Sequence, residues 1–273
     1  MIRQRSKEGE AAVTKAAFIT GGASGIGQAV AKDLAARGWR IGLADINEPG
    51  LEATRKMLPE GMATTHLMDV RDRGQWETAL ADFAKASGGR LDFLFNNAGV
   101  AVAGQLAAMS DSDIDRGLDI NINGMVYGAK AAHKLLSETP ESAMILTSSA
   151  AGIAGNAGMS IYCAGKFAMR GFAESLNAEW APEGIYVGSL MPSFIETPLL
   201  NHVGQDTNRT VRESVRGAGL EITPVDEVVK TVWGMLERRT AVHTRVGKTA
   251  HRLWFMSRWF PGVLRKRTGK AFK

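Results

Sequence analysis

Three residues of the chain, Ser149, Tyr162 and Lys166, have the types and the spacing that proton transfer requires. Tyr162 and Lys166 are four positions apart in a segment with helical periodicity, which places both side chains on one helix face. A free tyrosine has a pKa of about 10, and a neighbouring ammonium group lowers this value by favouring the phenolate. Ser149 ends an apolar run, where its hydroxyl could hold a substrate oxygen beside the phenol. The set therefore indicates acid–base chemistry at an alcohol or carbonyl oxygen.

A glycine-rich turn near the start of the chain could position a cofactor for this chemistry. Residues 15–20 form a short apolar run, residues 20–27 read T-G-G-A-S-G-I-G, and a helical pattern follows. Glycine permits tight turns and a close approach of a ligand to the backbone, and a helix N-terminus attracts phosphate groups. The spacing differs from G-x-G-x-x-G, and an ordinary glycine turn is the alternative. Because a strand and a helix flank the turn, we favour a phosphate site.

Asp45 ends the second predicted strand, residues 40–45. A carboxylate at this position can bind the ribose hydroxyls of NAD, and it would repel the additional phosphate of NADP. The alternative is that Asp45 only caps a turn or helix, a role that Asn47 could also fill. Arg37 and Arg40 are basic residues close to Asp45 along the chain, and we expect them to face solvent. We therefore predict NAD as the cofactor, with NADP less favoured.

Strand-like and helical segments alternate along the chain. The further predicted strands are residues 62–70, 91–95, 143–149, 185–190 and 241–246, and the further predicted helices are residues 48–58, 72–86, 111–136 and 158–180. Several strands are apolar on both faces, which is typical of a sheet buried between two helical layers. We therefore predict an α/β fold of the Rossmann type, with a doubly wound parallel sheet. Ligands bind such sheets at the carboxyl ends of the strands, where the candidate residues fall.

The combination of motifs resembles the short-chain dehydrogenase/reductase family. The chain has T-G-x-x-x-G-I-G at 20–27, N-N-A-G at 96–99, and the set Asn121, Ser149, Tyr162 and Lys166, with the Ser–Tyr interval usual in that family. The resemblance is close over residues 15–198 and looser over residues 199–247. It implies a homo-dimer or homo-tetramer that transfers a hydride between nicotinamide and a secondary alcohol or ketone.

The resemblance also implies a role for each matching residue. Tyr162 would be the general acid/base, Lys166 would bind the nicotinamide ribose and lower the pKa of the tyrosine, and Ser149 would position the substrate oxygen. Asn121 would hold a water that links Lys166 to solvent, although Asn123 is an equal candidate on chemistry alone. The residues implied to contact the cofactor are Gly21, Ser24, Gly25, Ile26, Gly27, Asp45, Asp69, Val70, Asn97, Tyr162, Lys166, Ile195 and Thr197.

Two segments depart from the family pattern or vary within it. The family usually has Pro-Gly after the sixth strand, whereas this chain has Pro192 followed by Ser193 and Phe194. Phe194 would narrow the nicotinamide side of the pocket or favour an apolar or aromatic substrate. Residues 199–220 lie where the family has its substrate loop, and their polar, glycine-containing sequence predicts a mobile lid.

The charge of the chain is unevenly distributed. The net charge is +5, but 11 Lys or Arg and no Asp or Glu follow Glu237, and the remainder has 22 basic and 28 acidic residues. We divide the chain into an N-terminal tail (1–12), which we expect to be mobile, a Rossmann domain (13–247) and a basic, aromatic extension (248–273). The extension is expected to pack over the pocket or against another subunit, or to contact a membrane surface. Nucleic-acid binding by the extension is a less favoured interpretation.

The composition favours a reducing, aqueous compartment. Cys163 is the one cysteine, so no intrachain disulfide can form, and residues 1–12 lack the apolar core of a signal peptide. No run of 18 apolar residues occurs, and the histidines lack the spacing of metal ligands. We expect a cytoplasmic protein, or one peripheral to a membrane, with no metal and no nucleic-acid partner.

Three functions are compatible with these patterns. The favoured one is an NAD-dependent oxidoreductase acting on an apolar or aromatic secondary alcohol or ketone. An NADPH-dependent ketoreductase is the first alternative, and a non-catalytic cofactor-binding or membrane-surface protein is the second. The presence of Asn121, Ser149, Tyr162 and Lys166 together argues against the non-catalytic interpretation.

Overall fold

The computed structural model describes residues 14–201 and 209–268. The predicted tail at 1–12, residues 202–208 of the predicted lid and residues 269–273 of the extension lie outside the described residues. The strands are β1 (Ala16–Thr20), β2 (Arg40–Asp45), β3 (Ala63–Leu67), β4 (Phe93–Asn96), β5 (Ala143–Thr147), β6 (Tyr186–Pro192) and β7 (His243–Val246). The helices are α1 (Gly25–Ala36), α2 (Glu48–Arg55), α3 (Arg73–Ser87), α4 (Asp111–Leu118), α5 (Gly124–Ser137), α6 (Ser160–Trp180), α7 (Val211–Gly217), α8 (Val225–Arg238), α9 (Lys248–Trp259) and α10 (Pro261–Thr268).

The described strands form one parallel sheet in the order β3-β2-β1-β4-β5-β6-β7. Successive residues of a strand point to opposite faces, and here both faces are buried. Phe93 and Phe95 pack in the apolar layer of α1 and α8, whereas Leu94 between them packs in the layer of α3, α5 and α6. Helices on both faces of a parallel sheet confirm the predicted doubly wound α/β fold.

Short sequence signals set the ends of the helices that follow the strands. Asp72 is the N-cap of α3 and accepts a hydrogen bond from the backbone N–H of Gln75. Asn47 caps α2 by accepting a hydrogen bond from the backbone N–H of Gly50. Gly88 ends α3 in the left-handed conformation, with φ of 67°. These caps start and stop the helices so that the strand ends remain open.

The helix predicted over residues 111–136 is interrupted. A π-helical segment, Asp119–Asn123, separates α4 from α5. Within it Asn121 is fully buried, and its amide side chain makes two hydrogen bonds with the backbone of Val100. A π turn widens the helix by one residue, which carries the side chain of Asn121 inward toward the strand ends.

The C-terminal extension contains two helices, of which α9 packs on the sheet edge. Ala250, Leu253 and Trp254 of α9 form a small apolar cluster with Ile153 and Met191. Ile153 follows Ser149 by four residues in the chain, and Met191 lies near the end of β6. Within residues 14–201 and 209–268, none of the helices combines the length and the apolar character that crossing a lipid bilayer requires.

Candidate active site

The glycine turn between β1 and α1 lies at the carboxyl edge of the sheet. Gly21 has a φ of +68°, and a Cβ atom on Gly27 would lie 2.2 Å from the carbonyl oxygen of Gly21. Neither position tolerates a larger residue, because the two arms of the turn are in contact. Ser24 precedes α1 as its N-cap in extended backbone, and its side chain makes no capping hydrogen bond.

The start of α1 therefore fits an anionic group. The first turn of α1 contains no acidic side chain, and its leading backbone N–H groups have no partner within the helix. A Cβ atom on Gly25 would meet only the side chain of Thr197, at 3.5 Å, so this surface of the turn is uncrowded. The neighbouring Ile26 packs against the apolar layer of α1 and α8 and anchors the helix start.

Asp45 at the end of β2 is tied to the glycine turn. One carboxylate oxygen accepts a hydrogen bond from the backbone N–H of Ala23 at 3.2 Å, and the other accepts from the backbone N–H of Asn47 at 3.0 Å. The capping role that could have explained Asp45 is performed by Asn47, which caps α2. Each carboxylate oxygen retains lone pairs that could accept hydrogen bonds from ribose hydroxyls.

The two arginines near Asp45 in sequence lie away from it in space. Arg37 pairs with Asp33 at 2.7 Å and lies over the ring of Trp233, at 4.0 Å from the ring centroid. Arg40 begins β2 and Asp45 ends it, so the rise of an extended strand places them about 16 Å apart. Arg37 is exposed, as expected, although it is also held in an ion pair and a cation–π contact, whereas Arg40 is half-buried at the start of β2.

Asp69 and Val70 follow β3 at the same edge. The carboxylate of Asp69 pairs with the guanidinium of Arg71 at 2.6 Å, and this hydrogen bond holds the pKa of Asp69 below its ordinary value. Val70 is buried against Gly124, and its carbonyl oxygen accepts a hydrogen bond from the indole of Trp76 at 2.9 Å. Asp69 therefore takes part in a local ion pair and Val70 in local packing, in addition to any contact with a cofactor.

Asn97 joins three strands below the glycine turn. Its side-chain amide donates to the carbonyl oxygen of Thr20 at 2.9 Å and accepts from the hydroxyl of Thr147 at 3.0 Å. The hydroxyl of Thr20 also accepts the backbone N–H groups of Asn97 and Ala98. Thr20 was expected only as the first residue of the glycine motif and Thr147 only as part of a strand, although a hydroxyl at the end of an apolar strand is a recognisable pattern. These residues fix the floor of the crevice.

Lys166 is buried beneath this floor. Its ammonium group donates to the carbonyl oxygen of Thr147 at 2.9 Å, and its side chain is 3% exposed. Burial lowers the pKa of Lys166 from 10.5 to about 8. A Cβ atom on Gly99 would lie 3.2 Å from the Lys166 ammonium and 2.9 Å from the Asn121 amide oxygen, so these two polar groups share one small space.

Asn121, and not Asn123, belongs to this group. The side chain of Asn123 donates to the carboxylate of Asp119 at 2.8 Å, on the outer side of the π turn. Asn121 is fully buried, and its Cβ atom lies 3.0 Å from the position that a Cβ atom on Gly165 would take. Of the two asparagines, Asn121 is therefore the one that lies beside Lys166.

Ser149 and Tyr162 bring their hydroxyl groups together. The hydroxyl of Ser149 accepts the backbone N–H of Ala151 at 3.1 Å and also interacts with the Tyr162 phenol. The preceding Ser148 has a different role, because it donates to the carbonyl oxygen of Lys166 at 2.6 Å and is buried. Ser149 is therefore the serine available to a substrate oxygen.

The pKa of Tyr162 moves in the direction opposite to the one expected from sequence. Burial raises the pKa of the phenol, and the interaction with Ser149 opposes this rise only in part. The Lys166 ammonium lies 5.6 Å from the centre of the Tyr162 ring, alongside the ring. Burial of the phenol therefore outweighs its interaction with Ser149 in setting the pKa.

The burial of Lys166 makes stability depend on pH. An unfolded lysine keeps its proton to about pH 10, whereas the folded Lys166 releases it near pH 8, so the unfolded state binds more protons between these values. The free energy of unfolding should therefore rise with pH across this window. Relative to Lys166→Met, the wild type should gain about 2 kcal/mol between pH 8 and pH 10, as measured by urea unfolding.

The control for this measurement is Lys32→Met on the exposed surface of α1. This variant measures the effect of exchanging an exposed lysine for methionine over the same pH range. A difference between Lys166→Met and the wild type that does not change with pH would contradict the burial of a titrating ammonium group.

Thr197 closes the crevice from the side of β6. Its hydroxyl donates to the carbonyl oxygen of Ile195 at 3.2 Å, and its side chain lies 3.5 Å from the position that a Cβ atom on Gly25 would take. The Ile195 side chain is buried in the layer of α1 and α8, and its backbone pairs with Thr223. Thr197 is thus placed to meet a ligand on the turn, whereas the side chain of Ile195 is used in packing.

Two groups of residues result from this geometry. The first can hold an anionic, ribose-bearing cofactor and consists of the glycine turn, Asp45, Asn97 and Thr197. The second can move a proton at a substrate oxygen and consists of Asn121, Ser149, Tyr162 and Lys166. Among the described residues, no group of three or more His, Cys, Asp or Glu side chains is arranged to hold a metal ion.

Comparisons with known proteins identify the family of the chain. The family model described as short chain dehydrogenase matches residues 15–208. A 3-alpha-(or 20-beta)-hydroxysteroid dehydrogenase from Mycobacterium tuberculosis is 33% identical over 198 residues, which are 72% of this chain and 75% of that protein.

Two solved structures have a similar fold. Levodione reductase superposes with a TM-score of 0.79 at 25% identity, covering 85% of this chain and 96% of that chain. A short chain dehydrogenase/reductase from Burkholderia phymatum in complex with NAD superposes with a TM-score of 0.78 at 24% identity, covering 93% and 95%. Since the family model spans well over half of the residues, the chain belongs to the short chain dehydrogenase family.

Proposed function

We propose that this protein is an NAD-dependent oxidoreductase that interconverts a secondary alcohol and a ketone. The observation that carries the proposal is the meeting of Ser149, Tyr162 and the buried Lys166 at the sheet edge that also bears the glycine turn. A non-catalytic protein would not require a buried ammonium group beside a phenol, because burying such a charge is costly.

The residues of the crevice fit a nicotinamide dinucleotide. Gly21 and Gly27 have no side chains, so the turn can fold tightly and a pyrophosphate can approach the start of α1. Asp45 has acceptor positions for a ribose. When bound, such a cofactor supplies or accepts the hydride. The protein's part is to orient the reacting groups and to move the proton.

Tyr162 is the proposed carrier of that proton. In the oxidation direction its phenolate accepts the proton of the alcohol, and in the reduction direction its phenol donates a proton to the carbonyl oxygen. Ser149 donates a hydrogen bond to the same substrate oxygen and orients it. Because burial raises the pKa of Tyr162, the phenolate depends on a nearby positive charge, which Lys166 provides below about pH 8.

A preference for NAD over NADP follows from charge. Asp45 carries its carboxylate at the end of β2, where the 2′-hydroxyl of an adenosine ribose is expected to bind, and in the described part of the chain no arginine or lysine pairs with it. Arg37 is engaged by Asp33 and Trp233, and Arg40 lies at the opposite end of β2. Two negative groups in contact would repel each other in the partly desolvated crevice.

An apolar cyclic alcohol or ketone is the proposed substrate class. The relative at 33% identity is named a hydroxysteroid dehydrogenase, and a structural neighbour at 25% identity is named levodione reductase. In this chain Ser193 stands in place of the usual glycine after Pro192, Phe194 follows it, and the apolar cluster of Ile153, Met191 and Trp254 borders the segment after Ser149. These features favour a ring with little polar surface.

The test is a turnover assay with purified full-length protein. Absorbance of the reduced cofactor should fall when NADH is supplied with apolar cyclic ketones, and NADPH should be used at least about tenfold less efficiently. Polar open-chain ketones of similar size are the control substrates and should react more slowly. Absence of turnover in both directions, together with absence of NADH binding by fluorescence titration, would refute the proposal.

The proposal also covers the oligomeric state and the cellular location of the protein. We propose a homo-dimer or homo-tetramer in the cytoplasm, on the strength of the family resemblance. We also retain residues 199–220 as a lid over the substrate, of which the structure describes α7 and the flanking residues. Light scattering after size exclusion gives the number of subunits directly.

A further inference from the structure

The helix α9 has two contrasting faces. Its inner face carries Ala250, Leu253 and Trp254, which pack on the body of the protein near the start of the loop after Ser149. One half-turn away, Phe255 and Trp259 lie on the outer face, since residues four apart share a helix face. Their side chains are 54% and 66% exposed. The apolar outer face is therefore not explained by packing within the chain.

The exposed apolar surface continues onto α10. The rings of Phe255 and Phe260 are in contact, with centroids 5.9 Å apart, and Phe260 and Val263 are 49% and 47% exposed. Leu264 on the opposite side of α10 is buried and lines a groove with Ile153 and Phe167. Both helices are thus fixed on their inner side and present aromatic and aliphatic groups outward. We call Phe255, Trp259, Phe260 and Val263 the aromatic face.

Positive charge surrounds the aromatic face. Arg252, Arg258 and Lys266 are exposed on α9 and α10, and none of them forms an ion pair with a carboxylate in the part of the chain that the structure describes. Residues 248–273 contain eight Lys or Arg and no Asp or Glu. The matching partner therefore has an apolar interior and a negatively charged surface.

We propose that the aromatic face and its basic border bind the surface of an anionic phospholipid bilayer. Tryptophan and phenylalanine are favoured at the boundary between headgroups and acyl chains, and each Lys or Arg near an anionic leaflet adds attraction. A second copy of the same face is disfavoured as the partner, because its positive border would be repelled. A nucleic acid would match the charge but would leave the aliphatic Val263 without a role.

A bilayer bound to the aromatic face would lie close to the active-site loop, because α9 packs beside that loop. The inner face of α9 contacts Ala150 and Ile153, which follow Ser149 by one and four residues in the chain. A bilayer bound to the outer face would then lie about one helix diameter, ~10 Å, from the loop that carries Ser149. If the protein acts on apolar alcohols, which is the proposed function, its substrate would be available from the lipid phase.

Vesicle co-sedimentation of the full-length protein tests the proposal without any use of enzymatic activity. The protein should sediment with vesicles of phosphatidylglycerol and phosphatidylcholine, should remain in the supernatant with phosphatidylcholine alone, and should be released by high salt. Replacement of Phe255 and Trp259 by alanine should lower the partition coefficient by at least about tenfold. The matched control replaces the exposed Leu67 and Met57 by alanine and should bind as the wild type.

A charge-reversed pair separates the contribution of the basic residues from that of the aromatic face. Arg252→Glu with Arg258→Glu should lower binding by at least about tenfold, whereas Lys32→Glu with Lys56→Glu, on α1 and after α2, should lower it much less. Quenching of Trp259 by brominated lipid, measured as the difference from Trp259→Phe, should place the indole in the headgroup region.

Several outcomes would overturn the proposal. The aromatic face would be rejected as the membrane-binding surface if the protein did not bind anionic vesicles. It would also be rejected if the Phe255 and Trp259 alanine pair bound them as well as the wild type. Loss of self-association in the Phe255 and Trp259 pair, with vesicle binding unchanged, would assign the face to a second copy. Binding of a single-stranded oligonucleotide that depends on Trp259, without vesicle binding, would assign it to nucleic acid. Each result stands apart from the proposed function, because turnover in solution does not require the aromatic face.

Discussion

Replacement of Tyr162 by phenylalanine should lower kcat by about 1000-fold and leave NADH binding unchanged. The variant keeps the ring that lies beside Lys166 and removes only the oxygen that carries the proton. Proton transfer by a positioned group accounts for a large part of the rate, whereas the ring contributes shape to the crevice. The measurement is single-turnover and steady-state kinetics with NADH and a cyclic ketone, together with a fluorescence titration of NADH.

The matched control for this variant is Tyr186→Phe. Tyr186 donates a hydrogen bond to the carbonyl oxygen of Ala241 at 2.6 Å, and burial raises the pKa of its phenol to about 12. Loss of this hydroxyl should lower the free energy of unfolding by about 1 kcal/mol and should leave kcat within about twofold. If the two variants reduced kcat equally, the effect at Tyr162 would be structural, and its role as proton carrier would be rejected.

Several of the predicted site residues that lie at the crevice share one property. They stand at the carboxyl end of a strand whose apolar pattern is local and easy to recognise, as for Asp45 at the end of β2 and Asn97 after β4. Once the strands are parallel and buried on both faces, their ends must meet at one edge. The fold class and the approximate position of the site follow from that geometry.

The features that sequence reasoning missed depend on contacts between distant segments. The contacts of Thr20 and Thr147 could not be predicted from sequence, because their hydroxyl groups meet Asn97, which lies 77 and 50 positions away. The π turn at Asp119–Asn123 is set by the tie between Asn121 and Val100, and no periodicity within residues 111–136 reveals it. The docking of α9 on Ile153 likewise joins segments that are far apart in sequence.

Burial also explains why the electrostatic prediction for Tyr162 was wrong. The spacing of Tyr162 and Lys166 on one helix face correctly brings the two side chains together. It says nothing about how much water each group loses, and that loss raises the pKa of the phenol and lowers the pKa of the ammonium group. Burial therefore favours the neutral form of both groups.

Replacement of Asp45 by asparagine should change the preference between NADH and NADPH by about 100-fold in favour of NADPH. The substitution keeps the size of the side chain and an oxygen that can accept the backbone N–H of Ala23, but it removes the negative charge. Two unit charges about 5 Å apart interact with roughly 3 kcal/mol at an effective dielectric constant of about 20, which corresponds to a factor of this order. The dissociation constants of both cofactors, measured by fluorescence titration at fixed ionic strength, give the ratio directly.

Asp33→Asn is the control for the change in cofactor preference. It removes the same charge from α1, but at the far end of the helix, where Asp33 pairs with Arg37. The ratio of NADH to NADPH affinity should stay within about twofold, because screening weakens an interaction across the length of the helix. A large shift in this variant would mean that the net charge of the domain governs the preference. An unchanged ratio for Asp45→Asn would show that the 2′-phosphate binds away from the end of β2, since only a carboxylate in contact with the phosphate could discriminate between the two cofactors.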